Sequence, residues 1–497
     1  MRTLTLSIFI VAASVSAAVA EVSLPALFAD HMVLQRNKAN PVWGWADPGE
    51  TITVTFDGVS VETTTLDNGA WVVRLPEAEL GDARTLTVAG SNTITINDVL
   101  VGDVWVCSGQ SNMQWTVAQA ANPEEEAANA KYPNIRYFGV PLTVALTPQS
   151  DVAASWVQTS PEVASNFSAV AYFFGRTLHR ELDVPIGLIA TSWGGTAIES
   201  WISPEATAIS ETFFELKRDW ARDVDEHGDL LLTYYDRVTQ PRPELPEMNR
   251  QVGSAPNVPS FNYHAMIAPL WQYGIKGAIW YQGESNASRA YQYRDLMKTM
   301  IRDWRIKFGQ GEFPFFITQL ANFRERAAEP GESDWAELRE AQLMATELSK
   351  VGMAVTIDIG DADDIHPKNK QEVGRRLAQS ALNIAHGMDV VPSGPVYEKM
   401  RRRGKSIALS FDHGGGGLVS KENSPLSGFQ IAGEDQEWVW AEAKIVRKTV
   451  RVRSKSVSKP VAVRYGWANN PDCNLYNAEG FPATPFRTDD WPISTQD

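Results

Sequence analysis

Apolar residues fall into two textures along this chain. From residue 21 to about 97 the runs are short and alternate strictly: Ile52, Val54 and Phe56 interleave with Thr51, Thr53 and Thr55, while Asp47-Pro48-Gly49 and Asp67-Asn68-Gly69 punctuate them. A period of two broken by such turn residues predicts strands. Residues 21–97 are therefore expected to form an all-β domain of sandwich type, with Trp43, Trp45 and Trp71 as core residues in preference to a sugar-stacking platform. From 98 to 389 continuous apolar runs at 99–106, 185–191, 277–281, 315–320 and 351–359 alternate with helical patterns at 169–182, 291–308 and 335–348. That alternation predicts an α/β domain, a mostly parallel sheet with helices on both faces. Residues 390–497 return to strand-like runs and Gly clusters and read as a second, β-rich domain.

Polar or Gly-rich loops follow several of the strand-like runs. Ser108-Gly109-Gln110-Ser111 ends the 99–106 run, and Gly194-Gly195 follow 185–191. Gln282-Gly283-Glu284-Ser285-Asn286 follow 277–281, and His366 follows 351–359. In an open parallel sheet the carboxyl ends of the strands line one edge, so these four loops are expected to converge. A serine in a Gly-containing turn between a strand and a helix is a common setting for a nucleophile, although taken alone it serves equally as a helix cap. About residues 204–260 a charged, Pro-rich insertion interrupts the alternation and is expected near the same edge.

Together, Gly109 to Met113 (GQSNM), Ser192 to Thr196 (SWGGT), Trp280 to Ala287 (WYQGESNA) and Asp363 to Lys370 (DDIHPKNK) resemble the sialate O-acetylesterase family of SGNH hydrolases. The likeness spans nearly all of the chain after residue 20. It implies a three-layer, flavodoxin-like SGNH domain at 98–389 flanked by β-sandwich-like domains, and carbohydrate O-acetylesterase activity without a cofactor. The implied substrate is an O-acetylated sugar, sialate 9-O-acetyl esters first, with acetylxylan or another polysaccharide as the alternative. A protein of another class, a degenerate hydrolase that only binds carbohydrate, would have no use for intact Ser111, Gln282 and His366.

Ester cleavage needs a nucleophile, a base and donors for the developing oxyanion. Ser111 is the nucleophile and His366 the base, its near-neutral pKa suiting proton transfer at physiological pH. Two acids stand beside His366. Most SGNH enzymes place the acid three residues before the histidine, which here is Asp363; many sialate-type relatives resemble Asn-Asp-Ile-His, which points to Asp364. A turn brings side chains at i and i+3 together, so Asp363 is the expected partner and Asp364 a supporting or substrate-side group. The expected oxyanion donors are the Ser111 N–H, the Gly194 or Gly195 N–H and the Gln282 amide, with Gln110, Glu284 and Asn286 in support. Glu284 paired with Asp363 or Asp364 would also suit a glycosidase, a reading that leaves the serine and the glycines idle.

Charge and composition narrow the partners. A net charge of −15 and a pI near 5.1 argue against nucleic-acid binding. The seven histidines show no paired metal-ligand spacing, so no metal is expected, and His264 reads as structural. Residues 1–20, with Arg2, an apolar stretch over 4–15 and small residues Ala18 and Ala20, form an expected signal peptide and hence a secreted or periplasmic protein. No later segment is long and apolar enough for a membrane span. Cys107 reads as a small core hydrophobe, and whether it pairs with Cys473 is open. The oligomeric state is open as well.

Overall fold

The computed structural model describes residues 21–208 and 256–496. The expected signal peptide and most of the expected insertion lie outside these residues. The central feature is an 11-stranded sheet. Its N-terminal strands include β1 (Val33–Gln35), β3 (Thr51–Phe56), β4 (Val59–Thr64) and β6 (Arg84–Ala89), with β2 (Asn40–Trp45) and β5 (Ala70–Leu75) forming a separate antiparallel pair. The core reading of the tryptophans holds for Trp43 and Trp71, which are buried, whereas Trp45 is partly exposed.

Strand β7 (Thr93–Gly109) joins this region to the catalytic sheet. Its first half pairs antiparallel with β6 and its second half pairs parallel with β1, β10 (Ile186–Ser192) and β11 (Gly277–Tyr281). The expected boundary between residues 97 and 98 thus falls inside one strand. Asp98, at φ 55°, makes the irregularity there, and its carboxylate accepts hydrogen bonds from Arg136 and Gln158 and pairs with His31. Asp tolerates the left-handed region better than most residues, so the chain changes partners without ending the strand. The core of the N-terminal region and that of the catalytic sheet form one continuous apolar cluster.

The catalytic sheet runs β13-β12-β11-β7-β10-β8-β9, where β8 is Ile135–Gly139, β9 Trp156–Gln158, β12 Phe315–Thr318 and β13 Val351–Ala354. All of its neighbouring pairs are parallel except β8 with β9. Residues 99–109 of β7 are buried throughout, as a strand covered on both faces requires. After β7 the chain builds β8 and β10 on one side, then β11, β12 and β13 on the other. β7 is therefore the topological switch point, where open α/β sheets place their ligands.

Five helices matter here: α1 (Ser111–Gln114), α2 (Ala169–Leu182), α3 (Ala290–Phe308), α4 (Asp334–Met344) and α5 (Lys370–Ile384). Ser168, Ser333 and Asn369 cap α2, α4 and α5 with their side chains. The 351–359 run is strand only to Ala354 and then turns. The C-terminal region has a core of its own and two four-stranded antiparallel sheets. It grips α4 closely: the fully buried Arg339 donates to the carbonyls of Ala468 and Asn469, and Glu337 accepts from Ser494 and Thr495. Cys107 and Cys473 are both free thiols.

Candidate active site

The turn after β7 is forced by close packing. At Gly109, φ is 141° and a Cβ would stand 2.1 Å from the Tyr281 carbonyl oxygen, so only glycine lets β7 lie against β11 there. The next residue, Gln110, donates its backbone N–H to that carbonyl, and its side-chain oxygen accepts from the N–H groups of Gly283 and Ser285. This clamps the loop after β11 to the turn carrying Ser111. Gly194, after β10, closes the third side: a Cβ there would sit 3.2 Å from that of Ser111.

His366 reaches the serine from the loop before α5, with Nε2 2.9 Å from Ser111 Oγ. Its ring stacks on Trp115 at 4.4 Å and 12°. Since Nε2 accepts from the hydroxyl, Nδ1 carries the proton and points to Asp364 Oδ1, 3.4 Å away. A hydroxyl on an imidazole whose other nitrogen faces a carboxylate is the arrangement of nucleophile, base and orienter. Burial, followed by the nearby Lys370 ammonium, holds the His366 pKa below its ordinary value, while Asp364 opposes them.

The acid differs from the sequence expectation. Asp364 meets the ring and Asp363 does not: Asp363 is exposed and its backbone N–H donates to Asp361. The physical reason is a local turn. The Asp364 carboxylate accepts the His366 backbone N–H at 2.8 Å, and this Asx-type closure folds an i, i+2 pair together without extended backbone.

Of the expected oxyanion donors, Gln282 and Gly194 are already engaged. Gln282 is fully buried and committed: Nε2 donates to the Thr196 carbonyl and to Asn286 Oδ1, and Oε1 accepts from Tyr293. Asn286 is equally internal, accepting from the Ile198 N–H and donating to Glu199. The Gly194 N–H is taken by Gln114 Oε1 at 2.8 Å. The Ser111 and Gly195 N–H groups, by contrast, have no partner among the described residues. Ser111 opens a helix, where backbone N–H groups are naturally left over.

Glu284 is engaged with Asn112, the residue after the nucleophile. Oε1 accepts from Asn112 Nδ2 at 2.5 Å, and burial pushes its carboxyl above the usual range. Its Oε2 has no partner among the described residues. His264 is buried, with Nδ1 on the Ala145 carbonyl, a structural setting. Sequence reasoning missed Asn112, Trp115 and Lys370, although all three stand within four residues of Ser111 or His366.

Comparisons with known proteins give the family. The profile of the family described as carbohydrate esterase, sialic acid-specific acetylesterase, matches residues 101–221 and 257–383. Human sialate O-acetylesterase is 32% identical over 505 residues, covering 92% of this chain and 90% of that protein. The mouse sialate O-acetylesterase is 30% identical over 522 residues, with 92% of each chain covered. A crystal structure of a carbohydrate acetylesterase from Xanthomonas citri is 38% identical, covers 95% of this chain and all of its own, and superposes with a TM-score of 0.83. With this fold and these relatives, the chain belongs to the sialic acid-specific acetylesterase family of carbohydrate esterases and is a carbohydrate O-acetylesterase.

Proposed function

We propose that the protein removes acetyl groups from O-acetylated sialic acids through a Ser111–His366–Asp364 triad. The observation that carries the mechanism is the 2.9 Å contact between His366 Nε2 and Ser111 Oγ at the switch point of the sheet. Ser111 attacks the acetyl carbonyl while His366 takes its proton, and the oxyanion is met by the Ser111 and Gly195 N–H groups. His366 then returns the proton to the departing sugar hydroxyl. Water, deprotonated by His366, releases acetate from Ser111.

Ser111→Ala is expected to abolish acetate release while leaving the melting temperature nearly unchanged, because a turn hydroxyl contributes more to chemistry than to packing. Wild-type rates in that variant would end the proposal. The sialate preference rests on the mammalian sialate O-acetylesterases that match over nine-tenths of the chain. Acetate release measured side by side on 9-O-acetylated sialic acid and acetylated xylan oligomers tests it. Faster turnover of xylan would replace sialate with a plant polysaccharide.

We further propose that residues 1–20 direct export, so that the working protein starts at Glu21 in a secreted or periplasmic compartment. N-terminal sequencing of the protein recovered outside the cytoplasm tests this, and retention of Met1 would count against it.

A further inference from the structure

Beneath the Ser111–His366 pair lies a buried charged cluster that hydrolysis as described above does not use. Lys370, in the first turn of α5, is fully buried and donates from Nζ to Asn112 Oδ1 at 2.5 Å. The amide of Asn112 is spent on two acceptors, Glu284 Oε1 and the Ile365 carbonyl at 3.0 Å. Asn112 follows the nucleophile and Ile365 precedes the base, so one side chain ties the two catalytic turns together. The ammonium also lies 5.3 Å from the centre of the Tyr281 ring, at the end of β11. Three of the four motif loops therefore meet around Lys370.

We propose that Lys370 is a positioning residue for ester hydrolysis: through Asn112 it fixes the His366 loop against Ser111 and keeps a positive charge near the imidazole. Burying an ammonium is costly unless partners hold it, and here its hydrogen-bond acceptor is a neutral amide. A group kept at that cost, on the residue next to the nucleophile, is better explained by a role in the site than by packing, since a Met of similar volume would pack without the penalty.

The electrostatic surroundings agree. Burial lowers the Lys370 pKa to about 7, with Glu284 and Asp364 opposing. Over the range in which His366 titrates, below its ordinary value, the lysine is therefore charged. The groups facing the His366 ring are Ser111 and Trp115 from α1 and the turn after it, Asp364 from its own loop, and Lys370 from α5. Those facing Lys370 are Asn112 from α1, Tyr281 from β11, Glu284 from the loop after it, and Asp364. Asp364 and Lys370 are thus the opposed charges acting on the base, and removing the cation lets the carboxylate raise the ring's proton affinity.

The inference rests on Ser111 and His366 being the catalytic pair, and the experiment separates the two. kcat/KM for 4-nitrophenyl acetate is measured from pH 4.5 to 9 on the full chain for wild type, Ser111→Ala, Lys370→Met and Lys370→Gln, with melting temperatures alongside. The Met variant removes charge and donor; the Gln variant removes charge but keeps a donor for Asn112, and serves if the Met variant does not fold. In either variant the acid limb, which reports the free enzyme's base, is expected to move up by about one pH unit, the effect of losing one nearby charge. In Lys370→Met kcat falls with little change in KM, and Lys370→Gln recovers part of that loss. A folded variant whose plateau drops while its acid limb stays in place would overturn the inference and leave Lys370 a packing residue. Activity in Ser111→Ala would instead overturn the catalytic pair itself.

Discussion

Replacing Asp364 with Asn is expected to slow turnover about tenfold to sixtyfold, whereas Asp363→Asn changes it by less than about twofold. The Asp364 carboxylate stands 3.4 Å from His366 Nδ1, and opposite unit charges at that distance attract by about 5 kcal/mol at an effective dielectric of about 20. The Asp364 side chain is 39% exposed, so water takes up at least half of that attraction. What remains, about 1.4 to 2.4 kcal/mol, is the share available to stabilise the imidazolium in the transition state, and each 1.36 kcal/mol is about tenfold in rate. The buried triad aspartate of the serine-protease example is worth about 10⁴, so this half-open acid should matter distinctly less. The Asx closure adds a further point: Asn keeps an oxygen for the His366 N–H, so the loop holds its shape and the change is one of charge. Steady-state kcat on 4-nitrophenyl acetate, with circular dichroism to verify folding, decides the matter. A larger loss in Asp363→Asn than in Asp364→Asn would refute the reasoning, and a loss near 10⁴ would show the carboxylate to be far less hydrated than its exposure indicates.

Three other outcomes are expected. Since burial and Lys370 hold the His366 pKa below its ordinary 6.5, the imidazole stays unprotonated and competent as a base to lower pH; the acid limb of kcat/KM should lie below 6.5, and a midpoint above it would contradict the site electrostatics. Gln282→Leu should cost about 2 to 4 kcal/mol of stability in urea denaturation, because it removes the buried donor to the Thr196 carbonyl and Asn286 and the acceptor of the Tyr293 hydroxyl; unchanged stability with a hundredfold drop in kcat would return Gln282 to the oxyanion hole. The Asp98 carboxyl is held down at about 2 against an ordinary 3.8 by Arg136, His31 and Gln158, against the opposing cost of burial. Its contribution is thus complete above pH 3.8 and lost as pH falls through about 2. Asp98→Asn should destabilise by about 1 kcal/mol at pH 7, after discounting for solvent, and by nearly nothing at pH 2.

How far the sequence reveals this molecule depends on which physical signal is asked for. Helix Ala169–Leu182 and strand Gly277–Tyr281 agree with the sequence reading at both ends, because each is an apolar pattern bounded by residues that stop it. The meeting of Ser111 with His366 is legible too, since strand ends of a parallel sheet share an edge. β7 is longer than expected because Asn97-Asp98 has the look of a turn, and only Arg136, His31 and Gln158, all distant in sequence, hold Asp98 within the strand. Gln282 reads as available because a polar loop beside a nucleophile suggests donors; its amide and that of Asn286 turn inward to satisfy backbone that burial would otherwise leave unpaired. Lys370 carries no warning at all. A lysine opening a helix is nearly always in solvent, and nothing in the local pattern tells of the Asn112 amide waiting for it.

The 17-residue strand β7 has a consequence for how the chain is made. During synthesis Ser111 leaves the ribosome long before the strands that will flank β7 in the finished enzyme, for β10 begins at Ile186 and β11 at Gly277. An apolar strand waiting that long with open edges invites pairing with other chains. β6 and β1 are already made by then, and they cover the strand from Thr93 to Gly102. The N-terminal region is thereby a mould laid down ahead of the casting: it shelters most of the strand on which the nucleophile will be mounted and leaves only its last seven residues, Asp103 to Gly109, to await β10.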